Sequence, residues 1–342
     1  MGQLSDGCKP QIHDIPTIDC CRRFIMQTKL ARLAVLALSI SLTPVAFAEK
    51  FNFVAIGDMP YSIPGDYAKF ERLLAAINAA KPSFTVFIGD VKGGSVPCTD
   101  ETINKVADYF KLLEAPLIFT PGDNEWTDCH REAAGKFDPL ERLAFVRKTF
   151  YPTDMSLGKT PMKLEHQSAD AKFSKFIENT RWNMAGVQFA TLHIIGSNNN
   201  LQRDQAAVTE YIERNAANLA WLDGTFAKAT ADNAKAVVIG IQADMRFDLD
   251  ADPDSRSGFN DTLALLKKKT LEFGKPVLLI HGDSHKFIVD KPMLNNGKLV
   301  ENFTRLEVFG SADVHGVMVS VDTDTPEIFG FRPMIIRENA NK

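Results

Sequence analysis

Four apolar runs in this 342-residue chain each lead into an acidic turn. FNFVAIG ends at Asp58, FTVFIG at Asp90, PLIFT at Pro121-Gly122-Asp123-Asn124-Glu125, and VLLI at His281-Gly282-Asp283-Ser284-His285. A single Gly-Asp after a strand is ordinary turn chemistry. Recurrence at four strand ends says more, because ligand sites of open α/β sheets lie outside the carboxyl ends of the strands, where such side chains converge. Carboxylates brought together without counterions repel one another and titrate upward. A bound cation resolves the repulsion, and oxygen ligands mixed with imidazole suit Mn, Fe or Zn.

The elements that must position these residues follow from periodicity. Phe70, Leu73, Leu74 and Ile77 recur at helical spacing within Tyr67–Ala80, and further helices are expected over residues 102–113, 205–229 and 262–273. Strands are expected at 51–57, 84–89, 116–120, 187–195, 236–241 and 277–280. Strand, turn and helix in alternation imply crossover connections and a buried sheet. Residues 126–184 are polar and irregular, which predicts loops and short helices, whereas the runs at 305–309, 317–321 and 328–331 predict an antiparallel tail. No repeat, low-complexity tract or linker interrupts the chain, so residues 49–342 are expected to form one domain.

The ordered motifs Gly57-Asp58, Gly89-Asp90, Gly122-Asp123-Asn124-Glu125 and Gly282-Asp283-Ser284-His285 resemble those of the calcineurin-like metallophosphoesterases. That family's pattern runs D-x-H, G-D, G-N-H-(D/E), a later His, and G-H-x-H. The resemblance implies an α/β fold with a central β-sandwich of mixed sheets flanked by helices. It also implies two divalent metals bridged by Asp90, and direct attack on phosphorus by a metal-held hydroxide. Departures from the pattern are specific. Asp58-Met59-Pro60 lacks the imidazole of D-x-H, Asp123 replaces a metal-binding Asn, and Asn124 stands where the family keeps the His that protonates the leaving group. Gln242 is the best match for the later His ligand, and Asp283 replaces the first His of G-H-x-H.

Two readings follow. The centre is either remodelled with more oxygen ligands and still active, or it has lost one or both metals. Carboxylates at Asp123 and Asp283 strengthen attraction to a divalent cation, and chance decay would more often leave apolar or small residues, which favours metal ligation by Asp58, Asp90, Asp123, Asp283 and His285, with Gln242 a weaker candidate. Asn124 cannot donate a proton, so His130 is a candidate replacement acid and Arg131 a candidate phosphate clamp; a plain surface role fits both equally well. His281 is an alternative ligand, and His193, inside an apolar strand, reads as a hydrogen-bonded core residue. Tyr61, Asn198, Asn199, Asn200 and Arg203 also follow strand ends and are candidates to line the mouth of the cleft, but each reads first as a turn or helix-start residue.

Composition sets the outer bounds. With 45% hydrophobic and 24% charged residues the chain is globular, and a net charge of −4 recruits neither nucleic acid nor acidic membrane. Lys29 and Arg32, the apolar stretch 33–42 and Ala46-Phe47-Ala48 describe a secretory signal peptide cleaved after Ala48, and an ordinary signal-peptide length counted back from there begins at Met26, which is read as the true start. The remaining chain carries 34 basic and 40 acidic residues and, of five cysteines, retains Cys98 and Cys129. In an oxidising compartment that pair reads as a disulfide, the alternative being two buried thiols. The expectation is a periplasmic or secreted metal-dependent phosphoesterase acting on small phosphate mono- or diesters, with no membrane association after cleavage. The rival is a non-catalytic ligand-binding protein on the same fold. An acyl-transfer hydrolase is disfavoured by the absence of a G-x-S-x-G elbow.

Overall fold

The computed structural model describes residues 50–247 and 257–340. The expected signal peptide and the residues before it, with Cys8, Cys20 and Cys21, lie outside the described residues.

Two mixed sheets carry the fold. The first has the order β14-β13-β1-β2-β3, in which β1 (Phe51–Ile56), β2 (Thr85–Ile88) and β3 (Leu117–Thr120) run parallel, and β13 (Gly316–Val321) and β14 (Phe329–Met334) close one edge antiparallel. The second has the order β4-β5-β6-β7-β8-β12-β9. Its parallel centre is β6 (Val187–Thr191), β7 (Ala236–Gly240), β8 (Val277–His281) and β12 (Phe303–Glu307). β4 (Glu165–His166), β5 (Thr180–Met184) and β9 (Ile288–Asp290) flank it antiparallel, and β10 (Leu294–Asn295) and β11 (Lys298–Leu299) form a separate ribbon.

Period-two alternation decides which face each strand gives to which layer. In β1, Phe53 and Ala55 point between the sheets, while Val54 and Ile56 point to the helices. In β8, Leu278 and Ile280 face inward, and Val277 and Leu279 face outward. The inter-sheet core is aromatic, with Phe53 stacked on Phe84 at 4.9 Å and Trp182 on Phe189 at 5.1 Å. The first sheet is covered by α1 (Tyr67–Ala80), α2 (Asp100–Phe110) and α3 (Pro139–Phe150), and the second by α5 (Gln205–Ala231) and α6 (Asn260–Phe273). Both faces of each central strand are thus buried, which is why those strands read as continuous apolar runs.

The architecture is the expected α/β sandwich of mixed sheets flanked by helices. Two local expectations are corrected. Residues 126–184 hold a full 12-residue helix, α3, whose Asp138 caps Glu141 N–H and whose Pro139 opens the first turn; buried Arg142 breaks its apolar stripe, which hid it. The tail is not wholly antiparallel either: β12 pairs in parallel with β8, residue for residue from Phe303 opposite Val277 to Glu307 opposite His281.

Candidate metal centre

Seven parallel strands, β1, β2 and β3 of the first sheet and β6, β7, β8 and β12 of the second, point their carboxyl ends at one edge of the sandwich. Asp58 follows β1, Asp90 follows β2, Asp123 follows β3, Gln242 follows β7, and Asp283 and His285 follow β8. β6 runs on into a single turn, α4 (Gly196–Asn199). Asp58, Asp90, Asp283 and His285 all have positive φ, between 52° and 77°, a sparsely populated conformation that Asp and His tolerate better than most. Such strain is held where packing over-determines it and is concentrated at functional sites.

Close backbone approach lets the loops meet. A Cβ on Gly89, whose φ is +74°, would lie 2.4 Å from Gly122 N, so the loops bearing Asp90 and Asp123 touch through two glycines. A Cβ on Gly196 would lie 2.6 Å from Asp123 Oδ2 and 2.7 Å from Asp283 Oδ1, which places both carboxylates against the same backbone atom. A Cβ on Gly282 would collide with Asp58 Oδ2.

Asp58, Asp90 and His285 each offer a ligand atom within 4.8 Å of the others. His285 Nε2 is 3.7 Å from Asp58 Oδ1. Asp58 is fully buried and accepts the Asp283 N–H at 3.0 Å through Oδ1, while its Oδ2 has no hydrogen-bond partner. Burial, then Asp283, pushes the Asp58 carboxyl well above the usual range. Burial and then Asp123 do the same to Asp90 and carry Asp283 to about 8. Asp128 and Glu125 are each pushed to about 7, mainly by burial. Buried carboxylates that cannot all ionise together, one with an orphaned oxygen, fit a divalent cation.

The other expected site residues have definite places. Asn124 donates its Nδ2 to Asp90 Oδ2 at 2.8 Å and its N–H to Asp90 Oδ1 at 3.1 Å. Gln242 spends its carbonyl oxygen on the Gly196 N–H at 2.6 Å, and its unpartnered amide nitrogen lies beside Asp58 and Asp283, favouring their ionised forms. That orientation gives the cluster a donor where a metal ligand was expected. Arg131 pairs with Asp128 Oδ2 at 2.7 Å, reaches Ser197 Oγ at 3.3 Å and borders Gly94 together with Asn124, at the rim. The Nδ1 of exposed His130 is 2.7 Å from the Thr127 carbonyl oxygen, within its own turn. Buried His281 turns Nδ1 to the Gly282 carbonyl oxygen and does not join the three-residue cluster. His193 is a buried core residue, as expected, with Nδ1 2.8 Å from Glu178 Oε1. Burial pushes the Glu178 carboxyl up, but Arg147 and His193 more than reverse this and hold it low. Cys98 and Cys129 are bridged and join the loops after Asp90 and Asp123, with Cα atoms 5.7 Å apart.

Tyr61, read from the sequence first as a turn residue, takes part directly, and Ser197, Lys92 and Asp128 escaped the sequence reading. Tyr61 Oη donates to Asp90 Oδ2 at 2.6 Å, accepts from Asn124 Nδ2 at 2.9 Å, and lies 3.0 Å from His285 Nε2. Ser197 Oγ sits 2.9 Å from both Asp123 Oδ2 and Asp128 Oδ1. Lys92 is buried among Glu125, Asp90, Asp128 and Asp123, which favour its charge while burial, the larger effect, lowers its pKa. Tyr61 alone carried a signal, lying three residues beyond Asp58 on the loop that must cross the cluster.

No family model matches the chain, and no curated protein matches it. Solved structures do. GAP50, the anchor in the inner membrane complex of Plasmodium, aligns at 12% identity over 84% of this chain and 89% of its own, with a TM-score of 0.46. A purple acid phosphatase from yellow lupin seeds aligns at 10% identity over 85% of this chain and 55% of its own, with a TM-score of 0.45. The phosphopantetheinyl hydrolase of Mycobacterium tuberculosis aligns at 16% identity over 77% of this chain and 91% of its own, with a TM-score of 0.39. Likeness at these levels assigns no residue and no substrate, so what the site can do rests on its own side chains.

Proposed function

We propose that this chain is a divergent calcineurin-like metallophosphoesterase that hydrolyses phosphate mono- or diesters outside the cytoplasm. The observation that carries the reading is the convergence of Asp58, Asp90 and His285, with Asp58 Oδ2 buried and unpartnered. These three would hold one divalent ion, and Asp123 and Asp283, whose carboxylates meet at Gly196, would be the candidates to hold a second with Asp90. Such ions supply Lewis acidity toward a phosphoryl oxygen and make water nucleophilic near neutral pH.

The chain's own residues do the rest. Arg131 stands at the rim beside Asn124, where its guanidinium would meet a phosphate, while Asn124 Nδ2 spends its two hydrogens on Asp90 Oδ2 and Tyr61 Oη and holds those groups in place. Tyr61 holds the hydroxyl closest to Asn124, which occupies the family's proton-donor position. Without metal, burial first and then Asp90 and Asp58 push the Tyr61 phenol well above its ordinary range; its placement beside Asp90 and Asn124 is what would let it give a proton to a departing alkoxide. A disulfide between Cys98 and Cys129 fits an oxidising compartment, where export would take the protein. Among the described residues no helix is long and apolar enough to cross a membrane.

The test is turnover of mono- and diesters by the full chain, expressed with its N-terminal segment and reconstituted with Mn, Fe or Zn. Hydrolysis abolished by Asp90→Asn supports the reading. Stoichiometric metal without turnover on either class would instead favour the binding-protein alternative.

A further inference from the structure

The charge around the centre bears on which phosphoesters it takes, an inference that rests on the phosphoesterase reading. Seven carboxyl groups interact here: Asp58, Asp90, Asp123, Glu125, Asp128, Asp283 and, through Asp283, Asp244. The cationic side chains set among them are buried Lys92 and, at the rim, half-exposed Arg131. With every carboxyl ionised, two divalent ions would leave this assembly at about one net negative charge rather than in a positive field.

Arg131 is the guanidinium at the rim beside Asn124, yet it is already engaged. Its Nη2 is 2.7 Å from Asp128 Oδ2 and 3.3 Å from Ser197 Oγ. Asp128 is itself anchored, with its side chain 3% exposed and Oδ1 accepting from Ser197 at 2.9 Å. Ser197 is held in turn by the left-handed turn that starts at φ 50° and continues through Asn200 at φ 65°. A phosphomonoester carries nearly two negative charges above about pH 6, whereas a diester carries one. The doubly charged ligand gains most from a free guanidinium and loses most to an unscreened carboxylate.

We infer that Asp128 is a positioning residue that sets the substrate class: by holding Arg131 in an ion pair, it turns the site toward singly charged phosphodiesters and away from phosphomonoesters. The probes are methyl phosphate and dimethyl phosphate, titrated calorimetrically at about pH 8 into the metal-loaded full chain. The wild type is expected to bind dimethyl phosphate at least as tightly as methyl phosphate. Asp128→Asn is expected to tighten methyl phosphate about tenfold and dimethyl phosphate about threefold or less, and adding Arg131→Gln to remove that gain. A purely structural role would weaken both ligands together and leave their ratio unchanged, which overturns the inference. Tighter methyl phosphate binding by the wild type, with normal turnover, overturns it as well, without any variant having to fold. Binding of neither probe and turnover of neither ester class overturn the phosphoesterase reading together with this one.

Discussion

Asp90 accepts hydrogen bonds from Tyr61 Oη, Asn124 N–H and Asn124 Nδ2 and still belongs to the three-residue cluster, so it joins the loops as well as offering ligand oxygens. Asp90→Asn keeps the shape and removes the charge. Metal content is expected to fall below about a tenth of an equivalent by elemental analysis, with activity lost alongside it. Tyr61→Phe removes only the hydroxyl. It is expected to slow hydrolysis of alkyl esters by about a hundredfold and of p-nitrophenyl esters by about tenfold or less, because a good leaving group needs no proton. Equal slowing of both classes would assign Tyr61 a structural role. Asp58, Asp90, Asp123 and Asp283 were legible because each follows an apolar run at a strand end. The roles of Tyr61, Asp128 and Ser197 were not, since a loop's path over the strand ends is set by tertiary packing and leaves no periodic trace.

Among the elements, the two glycine-containing turns and the disulfide hold the β2 and β3 loops together. Gly89→Ala puts a Cβ 2.4 Å from Gly122 N at a φ of +74°, and the loss is expected to be on the order of 2–3 kcal/mol, read from denaturant midpoints. Replacing Cys98 and Cys129 by Ser opens a loop spanning 31 residues of sequence separation and is expected to cost about 3–4 kcal/mol, seen as a lowered melting temperature that reductant no longer shifts. The parallel strands were legible because burial on both faces writes them as apolar runs. α3 was obscured because its buried face includes Arg142, which is satisfied by Asp100, Glu141 and the Cys98 carbonyl oxygen, so its apolar stripe is broken. The pairing of β12 was hidden for a different reason: parallel or antiparallel partnership is decided by the connection, and the strand's own residues do not encode it.

For the molecule as a whole, the centre couples metal, protons and stability. Asp283 titrates near 8 when folded and near 3.8 as an isolated side chain, and Glu125 and Asp128 move the same way. Between those values the folded state holds more protons than the unfolded one, so metal-free protein is expected to lose stability as pH rises from about 4 through about 8. Thermal melts with chelator should show that decline, and saturating divalent metal should flatten it and raise the melting temperature at about pH 8 by mass action. The most direct measurement is an anomalous-difference map from crystals grown with Mn, Fe or Zn. A peak within about 2.3 Å of Asp58, Asp90 and His285 ligand atoms is predicted. A map with no peak there for any of the three metals would contradict the metal centre on which the account depends.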